Sequence, residues 1–409
     1  MSINMPTLPR DPTRRAVILL NGVIICRSMV FLVPVIVPYF ALRIGLDFQE
    51  FLAAEAIFAA AVLGFEVPSG WLADVWQRKW VIILGTLISA LGVGLFIPAR
   101  DFADAAVAQV LMGMGIAMFS GADSALLFDT LRLHGQEGRY HKIESRRHGF
   151  GLYAVALSSI IGAWLFSIDP ALPIAAMVIA YLATAVCAWF LVEPERDATA
   201  MKWQRPQLRV LLSANRIIII AILSGAVLFA ATSVAMWSQQ PYYSALNIGT
   251  EWFGLLMAAG YVSGGVAGQF GHHLTRRLGS VHAQWLIWTA LVLSFSVAGL
   301  WPGYSGVALL LCGSAAWGLG WPLVQAIINH RVGSARRATV LSMAGAAVRL
   351  GFIPLSAVIG WMSMENDIAL AIFGLAVMLF LLGGPVLWWL NRAMKDSAIP
   401  STSITARSG

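Results

Sequence analysis

Six ionisable residues lie within long apolar stretches of the sequence, where ordinary surface charges are not expected. They are Arg27, Glu55, Glu66, Asp123, Asp129 and Arg349. An ionised side chain in the hydrocarbon of a membrane costs about 2.5–3.5 kcal/mol even on insertion scales, so such residues mark functional sites or paired charges. The mixture of signs therefore predicts either a site that binds an ionised solute or exchanges a proton, or structural ion pairs that lock helices together.

The composition requires a membrane around these residues. The chain has 409 residues, of which 59% are hydrophobic and 11% charged, with a mean hydropathy of +0.76. A soluble domain carries about 25% charged residues because its surface faces water. A soluble enzyme and a disordered chain are thus excluded. A disulfide scaffold is not indicated, since Cys26, Cys187 and Cys312 all lie in apolar stretches.

A transmembrane helix needs about 20 mainly apolar residues, and the sequence offers twelve such stretches. We number them as spans 1 to 12: 16–40, 51–73, 80–98, 105–131, 148–168, 171–192, 216–243, 252–271, 283–301, 304–330, 339–363 and 367–391. Their lengths predict an all-α membrane protein of twelve transmembrane helices. The first stretch is too long for the core of a signal peptide, so we interpret it as a retained span.

The distribution of Lys and Arg predicts the orientation of the spans. Nearly all of the 27 basic residues fall in the termini and in alternate loops, including Arg146 and Arg147 before span 5, whereas the opposite loops hold only Arg43 and Arg100. The positive-inside rule then places both termini in the cytoplasm of a cell with a cytoplasmic (inner) membrane. Anionic lipid and insertion bias account for the net charge of +7 without nucleic acid.

Two sequence segments recur, which predicts an internal repeat. The loop Gly70–Lys79 has the same spacing of glycine, polar and basic residues as Gly268–Arg277, and the segment Leu157–Gly162 matches Leu355–Gly360. Six spans separate the copies, and because six is even, both halves cross the membrane in the same sense. The predicted domains are a tail 1–15, two parallel six-helix bundles 16–192 and 216–391, a basic linker 193–215 and a tail 392–409.

The loop after span 2 resembles the signature of the major facilitator superfamily. Gly70, Asp74, Arg78 and Lys79 match it, whereas Gln77 replaces the usual glycine. The resemblance implies that spans 1, 4, 7 and 10 surround a central solute cavity, with Arg27 and Asp123 facing it as a pair.

The resemblance also implies a cytoplasmic gate around this loop. Gly70 would permit close approach of helices, Asp74 would cap the N-terminus of a neighbouring helix, and Arg78 would pair with Asp129. The second copy would contribute a weaker latch because a histidine replaces its acid. Its residues are Gly268, His272, Arg276 and Arg277.

In the resembled fold, spans 2 and 11 meet between the halves. Glu66 and Arg349 lie at similar depths, so we predict a salt bridge that opens and closes as the halves rock, with a permanent bridge as the alternative. Trp237, Gln239 and Gln240 in the outer part of span 7 are candidates for stacking on and hydrogen bonding to a solute; tryptophan in a membrane interface is the alternative.

The sequence does not show the residue patterns of a buried metal site or of ATP binding. All seven histidines lie in or beside predicted cytoplasmic loops, which disfavours a buried metal site, and no glycine precedes a lysine as an ATP-binding phosphate loop requires. Two features frequent in proton-coupled exporters of the family are also absent: Gln109 stands where they have arginine, and Gly149–Gly162 contains no proline.

These observations predict a secondary active transporter that works by alternating access and needs no cofactor. Its partners would be a small, amphiphilic organic solute, protons and the lipid bilayer, with Glu66 or Asp123 as the proton carrier, export slightly favoured over import, and a monomer as the functional unit. Alternatives are a proton-coupled importer of a metabolite or siderophore-like solute, and a receptor of the same fold that does not transport. An enzyme is not predicted.

Overall fold

A computed structural model describes residues 12–119, 121–194, 216–329, 331–332, 334–364 and 367–398. Most of the predicted linker 193–215 and much of both predicted tails lie outside these ranges, so the domain boundaries stay a prediction. The described chain is helical, and no strand occurs within it. The all-α fold class is thereby confirmed.

The helices of the first half begin with an interrupted span 1. Helix α1 (Pro12–Arg27) is followed by a short 3-10 turn (Val33–Val35), the single turn α2 (Ile36–Tyr39) and a π-helical turn (Phe40–Ile44). The remaining helices of this half are α3 (Phe48–Val75), α4 (Arg78–Gly94), α5 (Phe102–Phe119), α6 (Ala122–Leu133), α7 (Tyr140–Ile168) and α8 (Leu172–Trp189).

The second half has longer uninterrupted helices. They are α9 (Arg216–Ala245), α10 (Thr250–Leu278), α11 (Ser280–Leu300), α12 (Tyr304–Asn329), α13 (Ser334–Met362), α14 (Ile368–Met378) and α15 (Gly384–Ala398). A π-helical turn, Leu379–Gly383, connects α14 directly to α15, so these two helices form one apolar stretch.

Helical segments overlap all twelve predicted spans, and nine of the described stretches are long and apolar enough to cross a membrane by themselves. The other three are span 1, which is interrupted, span 3, whose helix α4 has 17 residues, and span 8, which contains α10 with its many glycine and polar residues. The count of twelve and the cytoplasmic termini stay predictions.

Local sequence signals explain where several helices begin. At the start of α3, Asp47 Oδ1 accepts a hydrogen bond from the Glu50 amide at 2.8 Å, and Glu50 Oε2 accepts one from the Asp47 amide at 2.9 Å. This reciprocal capping box satisfies two amides that the helix itself leaves unpaired. Asp367 likewise caps α14 by accepting from the Leu370 amide.

Two spans of the first half are broken within their apolar stretches. Helix α1 ends at Arg27, well inside span 1, and span 4 changes from α5 to α6 at Gly121. Gly121 has a φ of 81°, in the left-handed region that a residue without Cβ adopts without strain. Backbone of this kind is tolerated at membrane depth only where protein or a water-filled cavity surrounds it.

The described residues group into two compact units. The N-terminal unit comprises those within 1–204 together with 243–262, and the C-terminal unit those within 205–242 and 263–409. This division differs from the predicted bundles in assigning 243–262 to the first unit. Glycines allow close packing within each unit: a Cβ on Gly113 would lie 2.8 Å from the Phe58 carbonyl, and one on Gly299 would lie 2.7 Å from the Ala369 carbonyl.

Candidate functional site

The two helix breaks of the N-terminal unit lie next to each other and carry opposite charges. Arg27 is the last residue of α1, and Asp123 is in the first turn of α6. The partial negative charge at a helix C-terminus favours a cation, and the partial positive charge at an N-terminus favours an anion. Each charge is therefore placed at the helix end that stabilises it.

The structure brings Arg27 and Asp123 together as an ion pair and adds a second arginine. Arg27 Nη2 lies 3.1 Å from Asp123 Oδ2, and Arg147 Nη2 donates to the same oxygen at 2.6 Å. Arg147 Nη1 also donates to Glu144 Oε2 at 2.5 Å, and the Ser124 hydroxyl donates to Glu144 Oε1 at 2.5 Å. We call Arg27, Asp123, Glu144 and Arg147 the charge cluster; it contains two cations and two anions and is formally neutral.

Arg147 corrects one of the sequence interpretations. We grouped it with the basic residues of a cytoplasmic loop, whereas its side chain is 0% exposed. The reason is that α7 begins at Tyr140, before the predicted start of span 5 at 148, so Arg147 lies two turns inside a helix that packs against α6. Glu144, three residues earlier on the same helix face, is the sequence signal that points to a paired arginine.

The two arginines are held differently. Arg147 is fully buried, whereas the Arg27 side chain is 17% exposed. The other contacts of Arg27 are weak: the Phe119 carbonyl accepts from Nη1 at 3.5 Å, and the guanidinium lies 5.3 Å from the centre of the Phe119 ring. Asp123 Oδ1 is buried and has no hydrogen-bond partner among the described residues. Of the two arginines, Arg27 is therefore the one that can leave Asp123 for another anion at the lower cost in free energy.

The break in span 1 is supported by α7. The amide of Val30, which is no longer in a helix, donates to the Ser158 hydroxyl at 3.0 Å. Gly162, one turn further along α7, lies directly against the carbonyl of Phe31, where any side chain would clash. Both residues belong to the recurring segment Leu157–Gly162, so in this unit that segment packs against the broken backbone.

The predicted gate loop forms a network at the end of α3. Arg78 and Asp129 form an ion pair. The Glu193 carboxylate, which the sequence analysis missed, accepts from the amides of Arg78 at 3.0 Å and Lys79 at 3.1 Å and thus caps the N-terminus of α4. Lys79 Nζ donates to the carbonyls of Trp189, the last residue of α8, and Leu191. The loop therefore connects the ends of α4, α6 and α8.

The role of Gly70 stays a prediction. A Cβ there would have no atom within 4 Å among the described residues, whereas one on Gly113 would lie 2.8 Å from the Phe58 carbonyl. Asp74 is in the last turn of α3, and its side chain lies outside the described set, so its capping role stays a prediction.

The second copy of the loop is in the C-terminal unit. A Cβ on Gly268 would lie 3.2 Å from the Gly318 carbonyl of α12, so this glycine does face a neighbouring backbone. Arg276 and Arg277 are exposed in the last turn of α10, where the helix dipole favours cations. The side chain of His272 lies outside the described set.

Glu66 is half-buried in α3 and Arg349 is half-buried in α13. They belong to different units, so the salt bridge between them stays a prediction. In the C-terminal unit, Gln239 and Gln240 are buried and Trp237 is half-buried. The Gln239 amide donates to the Leu310 carbonyl of α12 at 3.3 Å, so this side chain has a structural contact besides the solute contact that we predicted.

One buried carboxyl that the sequence analysis singled out acquires an unexpected partner. Gln109, which stands where related exporters have arginine, is fully buried in α5 and donates to Glu55 Oε1 of α3 at 2.7 Å. The pair therefore places an amide, and not a cation, against Glu55. It connects spans 2 and 4 beside the close contact at Gly113.

A small cavity lies inside the C-terminal unit. Its lining includes Ser224, Gln284 and Trp288, and its volume of about 10 Å³ has room for a single water. Gln284 is 2% exposed, and neither polar atom of its amide has a hydrogen-bond partner among the described residues. A search of those residues finds no group of three or more histidine, cysteine or acidic side chains that could hold a metal ion.

Comparison with known proteins gives the family. The sequence model of the Major Facilitator Superfamily matches residues 18–356. The chain belongs to this superfamily and is a multi-pass membrane protein with a transporter fold. No curated protein sequence matches it.

Solved transporters share the fold at low sequence identity. The chain is similar to the nucleoside transporter NupG, with 14% identity and a TM-score of 0.69 over 94% of this chain and 99% of that one. It is also similar to the peptide transporter POT in complex with sulfate, with 13% identity and a TM-score of 0.73 over 93% and 95%. A bacterial homologue of the iron transporter ferroportin in an inward-facing state gives 17% identity and a TM-score of 0.71 over 92% and 99%.

Proposed function

We propose that the protein is a proton-coupled secondary active transporter of a small, amphiphilic organic solute carrying an acidic group. The observation that carries the proposal is the Arg27–Asp123 ion pair, which lies where two apolar helices of the N-terminal unit are both broken. The solved structures with this fold are named for nucleoside, peptide and iron transport, so their names select no substrate for this chain.

The first supporting argument concerns the backbone. An interruption of two helices at membrane depth leaves peptide groups without their helical partners, which is costly in lipid and is found where protein or a water-filled path surrounds them. Transporters commonly form their solute sites from such discontinuous helices.

The second argument concerns the charges. Arg27 is partly exposed and shares Asp123 with Arg147, so an acidic group on a solute can replace Asp123 at Arg27. Asp123 then remains paired with Arg147, and no buried charge is left alone. The exchange avoids the large cost of an uncompensated charge in a low-dielectric interior.

The third argument concerns coupling. Release of Arg27 removes one of the two cations that stabilise the Asp123 carboxylate. A proton taken up by Asp123 would restore the charge balance, which links solute binding at Arg27 to proton movement. Glu66, the other candidate carrier, is half-buried in α3 of the same unit.

The test begins with a thermal-shift screen of organic acids and their neutral analogues on the purified protein, because binding to the folded state raises apparent stability. Hits are then assayed for flux in proteoliposomes with and without a pH gradient. We expect flux to follow the gradient and to be lost in Asp123→Asn and Arg27→Gln, while Arg146→Gln, which changes an exposed arginine next to the cluster, transports normally.

Two results would contradict the proposal. If flux does not depend on the pH gradient and is unchanged in Asp123→Asn, proton coupling through this residue is excluded. Equal stabilisation by acids and neutral analogues, unchanged in Arg27→Gln, removes Arg27 as the anchor. The sign of the gradient that accelerates efflux from oriented vesicles decides between export and import.

A further inference from the structure

Two cysteines on different helices of the N-terminal unit lie side by side. Cys26 is in the last turn of α1, and Cys187 is in the last turn of α8. Both are free thiols and both are half-buried. Neither has a part in the function proposed above.

Their proximity rests on the packing of α1 against α8. A Cβ placed on Gly22 would lie 3.0 Å from Cys187 Sγ, so this sulfur lies directly on the backbone of α1. Cys26 is one helical turn beyond Gly22 on the same face of α1, where residues four apart are neighbours. The two thiols are accordingly within hydrogen-bonding reach of each other.

We propose that Cys26 and Cys187 form a two-thiol site for trivalent arsenic and similarly soft, thiophilic species, which would bridge α1 to α8. Thiolate sulfur is the protein ligand that soft ions prefer, and two thiols at contact distance provide a chelate that a single cysteine cannot. With an arylarsenic(III) oxide, two S–H bonds and the As–O bonds break, two As–S bonds form, and one water leaves. No electrons are transferred, so neither an oxidant nor a reductant is required.

A bridge between the two cysteines would affect the break in span 1. Cys26 immediately precedes Arg27, the residue at the break in span 1. A bridge from Cys26 to Cys187 would fix the end of α1 to α8 and restrict movement of the Arg27 backbone.

The third cysteine, Cys312, serves as an internal control. Cys312 is exposed on α12, and its thiol donates weakly to the Ala308 carbonyl of its own helix at 3.9 Å. It is a single thiol in the other unit. A reagent that needs two adjacent thiols should therefore leave Cys312 unmodified, whereas a maleimide should label it.

The experiment treats the folded, detergent-solubilised protein with phenylarsine oxide in the presence of excess 2-mercaptoethanol, which competes for single-thiol adducts. Intact mass then counts phenylarsenic groups. We expect one group per chain in the wild type and in Cys312→Ser, none in Cys26→Ser or Cys187→Ser, and loss of the group on addition of 2,3-dimercaptopropanol. Proteolysis of the adduct should yield one cross-linked species that contains both Cys26 and Cys187.

Folding of each variant is checked by size-exclusion chromatography and by thermal unfolding in detergent, so a misfolded variant is not mistaken for a negative result. Absence of an adduct on the folded wild type overturns the proposal. So does an adduct that survives in a folded Cys26→Ser or Cys187→Ser variant, or one that disappears in Cys312→Ser. None of these outcomes depends on whether the protein transports an acidic solute.

Discussion

The two units share two recurring sequence segments, but the helices at corresponding positions are built differently. In the N-terminal unit, spans 1 and 4 are broken, and a cluster of four charges lies at the breaks. In the C-terminal unit, spans 7 and 10 are the continuous helices α9 and α12, although both contain proline. These two helices are connected through a neutral group, the Gln239 amide, which donates to the Leu310 carbonyl.

The difference shows that, in spans 1 and 4, the helix breaks coincide with the paired charges Arg27 and Asp123. A continuous helix pairs nearly all of its peptide groups and offers no dipole end at membrane depth. A break exposes both ends, and these ends stabilise Arg27 and Asp123 where a helix interior would not. In spans 1 and 4 the N-terminal unit therefore pairs charges at helix ends, whereas spans 7 and 10 of the C-terminal unit meet through a neutral contact.

The largest expected effect is on the buried arginine. Arg147→Gln removes the cation that holds both Asp123 and Glu144 and leaves buried carboxylates undercompensated, so we expect a loss of about 3–5 kcal/mol in unfolding free energy. Thermal or denaturant unfolding in detergent measures it, with Arg146→Gln as the matched control. Equal stability of the two variants would mean that the charge cluster contributes nothing to the N-terminal unit.

For Gln284 in the C-terminal unit we expect a substitution to raise the stability, whereas the substitution of Arg147 lowers it. Its amide is buried without hydrogen-bond partners among the described residues, so Gln284→Leu, which keeps a similar volume, should raise stability by about 1–2 kcal/mol. The melting temperature tests this change. A decrease would indicate that the amide is hydrogen-bonded to something bound in the small cavity, and the C-terminal unit would then have a polar site of its own.

A smaller loss is expected for the neutral contact between α9 and α12. Gln239→Leu removes one hydrogen bond to a carbonyl and should cost about 1 kcal/mol. Unfolding measurements are compared with Gln239→Met, which keeps the length of the side chain and removes the donor. If Gln239→Leu is as destabilising as Arg147→Gln, the contrast between charged and neutral units fails.

The smallest change in stability is expected for Arg27→Gln. Arg27 is partly exposed, its distance to Asp123 is the longer of the two, and Asp123 keeps Arg147, so the cost should be about 1 kcal/mol or less. The same variant should abolish stabilisation by acidic solutes. A loss as large as that of Arg147→Gln would identify Arg27 as a structural residue and exclude it as an exchangeable anchor.

Several features of the site could be predicted because they depend on short-range sequence patterns. The opposite charges of Arg27 and Asp123 stood out in apolar surroundings, and the spacing Gly70–Lys79 pointed to Arg78 and its partner Asp129. The capping role of Glu193 could not be predicted, since it follows the end of α8 and reaches α4 only through folding. The close helix contact at Gly113 could not be predicted either, since only folding brings it against the Phe58 carbonyl.

The sequence by itself determined the membrane environment, the helical class and the presence of opposite charges in apolar stretches, because the hydrophobic effect and the cost of charge in hydrocarbon act on composition and local order. Tertiary structure decided which charges meet. Arg147 is ordinary in the sequence, one basic residue among several, and it became fully buried only because α7 starts earlier than its apolar stretch and packs against α6. The break at Arg27 was likewise decided by packing, since α7 supplies the hydroxyl of Ser158 and the space at Gly162 that an interrupted helix requires.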